Sequence, residues 1–335
     1  MQYWYETEFF PGLKEKGVKT ILHLGDFFDN RNSISVMDID WVVNWFAPQL
    51  VAGGHEFIVI LGNHDVAFKN TNKVHSLSVL KAAAPNNVTV IEEPTYKIID
   101  SQRYALVPWI NASNYDDTMQ FLADLNDKES IIVAGHFEFE GFKHYANSAP
   151  ADHGMATEAF KDFQEVWSGH YHHKSKIGNV RYMGSAFHLN WQDYGDARGF
   201  HLYNPGDLQF VENDLCMFTQ VGFDEETFKG MTDDEYKQMF EGRFVRLVID
   251  REHTKVALMD TISKINRSKP HDLQIVNTYA LTEDSQDTNA EELEERTSKS
   301  TLQYIEDYMA NESPEVKTLM VELYNEAHTL MVKGE

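Results

Sequence analysis

The sequence has a single cysteine, Cys216, which excludes an intramolecular disulfide and any cysteine-based zinc site. It is poor in basic residues: 29 Lys and Arg stand against 53 Asp and Glu, a formal charge of -24. That excludes a protein whose affinity for nucleic acid comes from net charge, and a peripheral anchor on anionic lipid. No apolar run approaches the roughly 18 residues of a membrane span. Met1–Phe10 is acidic and aromatic, unlike a secretory leader. No membrane is expected, and the cytoplasm is the expected compartment. The remainder is an ordinary globular composition, 42% apolar over 335 residues, enough to bury sizeable cores in about two domains.

The first two-thirds alternates short β-rich runs with helical spacing. Strands are expected at Thr20–Leu24, Glu56–Leu61, Ser130–Ala134 and Gln164–Ser168, each ending at a glycine followed by polar residues. Val36–Gln49 has helical spacing, with Val36, Ile39, Val43 and Phe46 on one side. Further β-like runs are Val180–Met183, Arg198–Tyr203 and Gln209–Glu212. The alternation predicts an α/β domain over 1–212. A smaller α+β unit is expected over 213–280, from strand-like Arg243–Asp250, helical Thr254–Ile265 and strand-like Asp272–Thr278. An acidic linker follows over 281–298, then a helical tail over 299–335. The tail carries an apolar stripe through Leu319, Leu323, Ala327 and Leu330 that either folds back on the body or docks another protein.

The strand ends carry the chemistry. They read Gly25-Asp26-Phe27-Phe28-Asp29, Gly62-Asn63-His64-Asp65, Gly135-His136 and Gly169-His170-Tyr171-His172. Loops at the carboxyl ends of strands in an α/β sheet converge on one crevice, so Asp26, Asn63, His136, His170 and His172 can meet. Carboxylate, amide and imidazole donors without a thiolate suit Mn, Fe or Zn and disfavour a pure Mg or Ca site. A pair of such metals can clamp the attacking and leaving oxygens of phosphoryl transfer, with no Ser or Cys nucleophile. Each motif alone is weak; the ordered set at successive strand ends is specific. His23, His75, His144, His153, His188 and His201 have no motif behind them and are left structural. Trp109 and Trp191 either pack at a rim or stack on a base.

The ordered set resembles the calcineurin-like metallophosphoesterases. Within them it is similar to the SbcD-type (meiotic-recombination-eleven) nucleases of double-strand-break repair, the small subunits of T-even phage recombination endonucleases included. Trp167-Ser168-Gly169-His170, Val180-Arg181-Tyr182-Met183-Gly184-Ser185 and Arg198-Gly199-Phe200 extend the likeness along nearly the whole chain. It implies a β-sandwich flanked by helices, a small capping domain and C-terminal helices. It also implies a bridging carboxylate at Asp26, completed by Asn63, His136 and His170 at one metal, with His172 at the other. His64 would assist the leaving group and Asp65 would orient His64; Asp29 would brace its loop. The implied activity is Mn2+-dependent 3′-to-5′ exonuclease and single-strand endonuclease on DNA. The implied partner is an SbcC-type coiled-coil ATPase bound by the C-terminal helices, and homodimers are common in the family.

One family feature is absent. Its first strand carries an Asp-x-His pair that supplies two ligands, and no such triplet occurs in this sequence. Two readings follow: a start truncated ahead of the first strand, which a core strand's burial of roughly 5–12 kcal/mol favours, or a degenerate site. Either way one metal is expected to bind well and DNA cleavage to be weak. Rival readings are a phosphatase or cyclic-nucleotide phosphodiesterase with the same metals, and a noncatalytic scaffold between DNA and the ATPase. Arg31, Lys69, Lys73, Lys143 and Lys174 are ordinary surface charges or local contacts to a DNA backbone.

Overall fold

A computed structural model of the chain describes residues 1–278. The acidic linker expected at 281–298 and the helical tail expected at 299–335 lie outside the described residues. Two compact units divide between Thr219 and Gln220.

The first unit is built on two facing sheets. One is parallel, in the order Thr20–His23, Glu56–Ile60, Val88–Ile91. The other has six strands, in the order Ser175–Ile177, Val180–Tyr182, Glu165–Ser168, Ile131–Gly135, Gln102–Val107, Thr95–Ile99. Its four inner strands pair in parallel, and each edge strand is antiparallel. Alternation along the strands decides the layers. Ile58 and Ile60 meet Leu106, Ile132 and Ala134 between the sheets. Phe57 and Val59, one residue out of step, pack with Val42, Phe46 and Leu50 of the helices over the first sheet. Ala105, Val107, Ile131 and Val133 face Leu122, Phe139, Phe142 and Phe160 on the other side. The result is the helix-flanked sandwich that the sequence motifs imply.

Two helices carry π-helical stretches, Tyr5–Phe9 and Val42–Phe46, and each is followed within two residues by a proline, Pro11 and Pro48. A proline ring clashes with the carbonyl four residues before it, and a widened turn relieves the clash. The second helix corrects the expected apolar face. Val36, Ile39 and Val43 are exposed, while Val42, Phe46 and Leu50, at steps of four, are buried. None of the described helices is long and apolar enough to cross a membrane.

The second unit centres on strands Phe218–Gly222, Phe244–Ile249 and Asp272–Asn277, in that order. Phe244–Ile249 buries alternate residues, Val245, Leu247 and Ile249, against Phe228, Tyr236, Phe240 and Ile265. Its helices start at oxygen-bearing caps: Thr232, in a capping box with Glu235, and Thr254, which accepts from the Ala257 amide.

Candidate metal centre

The strands Thr20–His23, Glu56–Ile60, Ile131–Gly135 and Glu165–Ser168 end on one side of the sandwich, and the loops after them meet. Ligand atoms of Asp26, His136 and His170 all lie within 4.8 Å of one another. Asn63 joins them: its Oδ1 is 3.0 Å from His136 Nε2 and 3.0 Å from His170 Nδ1. His136 Nε2 is 3.2 Å from Asp26 Oδ2. These four side chains are separated by up to 144 positions (170 minus 26).

The backbone explains why they meet. A Cβ on Gly25 would fall on the His136 ring and the Gly62 backbone, and one on Gly62 would fall on the Asp26 carboxylate. The turns therefore touch at distances only glycine permits. Asp26 and His170 themselves adopt positive φ, +56° and +82°, at a cost of roughly 1–3 kcal/mol each. Hydrogen bonds hold the loop after the first strand in this state. The buried Asp65 carboxylate accepts from the amides of Asp26 (2.8 Å), Phe27 (3.0 Å), Phe28 (3.4 Å) and Gly62 (2.9 Å). The His64 amide donates to Asp26 Oδ1 at 2.8 Å.

Electrostatics ties the four together. Burial alone would raise the Asp26 carboxyl. The His136 charge, their hydrogen bond and the His64 amide outweigh it and hold Asp26 well below the usual carboxylate range. Burial likewise opposes protonation of His136, but the Asp26 carboxylate lifts it above an ordinary histidine. His170 is pushed down to about 3, by burial first and then by the charge on His136, and is neutral. Burial together with the Asp26 charge pushes Asp65 up to about 6, against the pull of the Gly62 amide.

A divalent cation fits these donors. His136 Nδ1–H donates to the Leu24 carbonyl at 2.7 Å, which leaves the Nε2 lone pair facing Asp26 and Asn63. Lone pairs of a carboxylate, an amide oxygen and two imidazoles thus converge, and a cation would satisfy all of them at once.

The other expected residues fall differently. His172 stands outside the Asp26 group; its Nδ1 is 3.1 Å from the buried Asp193 carboxylate. Asp65 was expected to orient His64, but its carboxylate braces the turn after the first strand. The His64 ring instead donates through Nδ1 to the Asp29 carbonyl. It is thus the Asp29 main chain that engages His64. Arg31 donates through Nε to the Asn63 carbonyl at 3.0 Å, which brings one basic group to the rim. Trp109 stands 5.9 Å from His136 and 5.6 Å from His170 between ring centroids. It lines a cavity of about 260 Å³ with Ile110, Tyr115, His136, Glu138 and Met155. His23 is a packing histidine against Phe27 and Phe57, pushed down to about 4 by burial.

Sequence reasoning missed Glu138, His144 and Asp193. Glu138 and His144 form a second donor group with His170. Asp193 accepts from the amides of Leu189 and Asn190 and pairs with Arg198 at 2.8 Å. No strand-end spacing marks any of the three. The one local signal is the cap of the short helix Trp191–Asp193, a capping box between Asn190 and Asp193.

Comparison with known proteins agrees with this geometry. The sequence model of the calcineurin-like phosphoesterase family matches residues 2–174, which hold all four strand-end motifs. Exonuclease subunit 1 of Enterobacteria phage T4 is 30% identical over 276 residues, covering 77% of this chain and 76% of the relative. Family members bind divalent metal, as the gathered donors require. The glycine-spaced turns, the facing sheets and these matches together place the chain in the calcineurin-like phosphoesterase family.

Proposed function

We propose that the chain is the nuclease subunit of a DNA recombination and repair complex, cleaving phosphodiester bonds with Mn2+. The observation that carries this reading is the convergence of Asp26, Asn63, His136 and His170 lone pairs at the ends of four strands. The similar phage T4 protein is named an exonuclease subunit, which supports both a DNA substrate and a partner.

Asp26, Asn63, His136 and His170 would hold the cation. When bound, it would supply charge stabilisation at the phosphoryl group and acidify a water that attacks phosphorus. The chain's own groups do the rest. The Asp29 carbonyl fixes the Nδ1 side of His64, so Nε2 presents a proton to the departing 3′ or 5′ oxygen as general acid. Arg31 contacts a non-reacting phosphate oxygen. Trp109 and its cavity receive the sugar or base of the terminal nucleotide. By this reading the polarity is 3′-to-5′, with endonuclease action on single strands. An SbcC-type coiled-coil ATPase binds the C-terminal segment 299–335, and the subunit forms homodimers in the cytoplasm of the phage's host.

The test is a parallel assay with Mn2+ of end-labelled linear DNA, single-stranded circular DNA and bis(p-nitrophenyl) phosphate. The expected result is weak, Mn2+-dependent release of nucleotides from 3′ ends and nicking of the circle, both lost in His136→Ala. Turnover of the small ester with no DNA cleavage would favour a phosphodiesterase instead. DNA binding with no cleavage of any substrate would favour the scaffold.

A further inference from the structure

Beside the Asp26 group, Glu138, His144 and His170 bring one donor atom each within 4.8 Å of one another, all three residues half-buried. Ligands about 2.0–2.2 Å from an ion stand up to roughly 4.4 Å apart, so a small side-chain movement closes this set around one cation. The segment that carries the first two residues is fixed. The Met155 amide donates to the Glu138 carbonyl at 2.7 Å, and the His173 amide donates to the His144 carbonyl at 3.1 Å. The His144 ring lies 3.8 Å from that of the buried Tyr171. Glu138 Oε1 meets His153 Nε2 at 3.2 Å, which leaves its second oxygen available. His170 completes the case: its Nδ1 is engaged with Asn63, while its Nε2 is buried with no hydrogen-bond partner. A buried ring nitrogen without a partner is costly unless something satisfies it.

We infer that Glu138, His144 and the Nε2 of His170 form a second divalent-cation site, and that His170 is shared with the Asp26 site. This rests on Asp26, Asn63, His136 and His170 being the first site. It differs from the arrangement that family resemblance implies, in which the second metal takes Asp26 and His172; here His172 Nδ1 is engaged with Asp193. One carboxylate and two imidazoles select a borderline cation such as Mn2+, Co2+ or Zn2+ over Mg2+ or Ca2+. Neutral His170 carries one ring proton, and when both nitrogens ligate, that proton leaves to solvent. Glu138 and His136 both line the cavity beside Trp109. The two cations would therefore flank one cavity and share the negative charge of a phosphate bound there.

Co2+ is the probe, since its visible absorption reports imidazole ligation and its stoichiometry is read by titration of the full chain. Wild type is expected to take up about two Co2+ per chain. Glu138→Gln and His144→Asn should each lose one ion, and His172→Asn should lose none. Asp26→Asn should abolish the other ion and keep that of the Glu138 set. Circular dichroism and thermal unfolding confirm that each variant folds. One Co2+ in wild type, lost in Asp26→Asn and untouched in Glu138→Gln and His144→Asn, would overturn the second site and leave the first standing. Two ions, of which His172→Asn loses one and Glu138→Gln loses none, would overturn it as well. No uptake at all would overturn both sites.

Discussion

His172 Nδ1 lies 3.1 Å from the carboxylate of Asp193, which holds the fully buried Arg198 guanidinium at 2.8 Å. Arg198 also donates to the main-chain oxygen of His172 and reaches Asp196 at 3.2 Å. The Asp193 carboxyl is held below its usual range: burial opposes this, but His172 and the Leu189 amide prevail. A histidine expected to be a free ligand is thus anchored on both its ring and its backbone. Removing Asp193 leaves a buried guanidinium short of a counter-charge. Asp193→Ala should therefore lower stability by about 3–5 kcal/mol, read by urea denaturation. A loss near zero would mean that Asp196 alone suffices.

His64 separates chemistry from binding. Its ring is tethered to Asp29, and only its amide touches a member of the cation group, Asp26. His64→Gln should cut DNA cleavage by roughly 10²–10⁴-fold, the range of a lost general acid, and leave Mn2+ affinity within error. Mn2+ titration calorimetry beside cleavage rates checks this. A parallel loss of Mn2+ affinity would make His64 part of the cation site.

Gly62 is required by space. An added Cβ would collide with the Asp26 carboxylate and the Asp26 amide. Gly62→Ala should cost about 1–3 kcal/mol of stability from overpacking and weaken Mn2+ binding by about 10–100-fold, as a displaced ligand does. Both are read on the purified variant, by denaturation and calorimetry. Unchanged Mn2+ affinity would show that Asp26 need not hold its observed position.

The pH dependence has a definite sign. His136 is raised above an ordinary histidine, chiefly by Asp26 working against burial, so without a cation it is protonated at mildly acid pH. Binding at Nε2 must release that proton. Apparent Mn2+ affinity should rise about tenfold per pH unit while His136 titrates, then level off once it is neutral. Calorimetry at stepped pH measures it; a flat profile would mean that His136 is not a ligand.

Much of the sandwich was legible in the sequence, and the reasons are local. Glu56–Ile60 and Ile131–Gly135 are apolar runs closed by glycine, and both lie in the structure where the pattern put them. The strands Thr95–Ile99 and Gln102–Val107 were missed, because mixed polar and aromatic residues blur their alternation. The capping unit's central strand was legible from its strict alternation. In the site, Asp26, Asn63, His136 and His170 were marked by glycine and strand end. Asp193 and His144 were not, since they reach the site from irregular segments with no periodicity to place them. The role of Asp65 was misjudged because a carboxylate beside a histidine suggests a pair, whereas backbone amides of a tight turn captured it first.

Isothermal titration of the full chain with Mn2+, run beside His136→Ala and Asn63→Ala, tests the gathering of donors most directly. Saturable binding in wild type, weakened at least about 10-fold by each substitution with the fold unchanged, is the predicted result. Equal binding in all three proteins would contradict it.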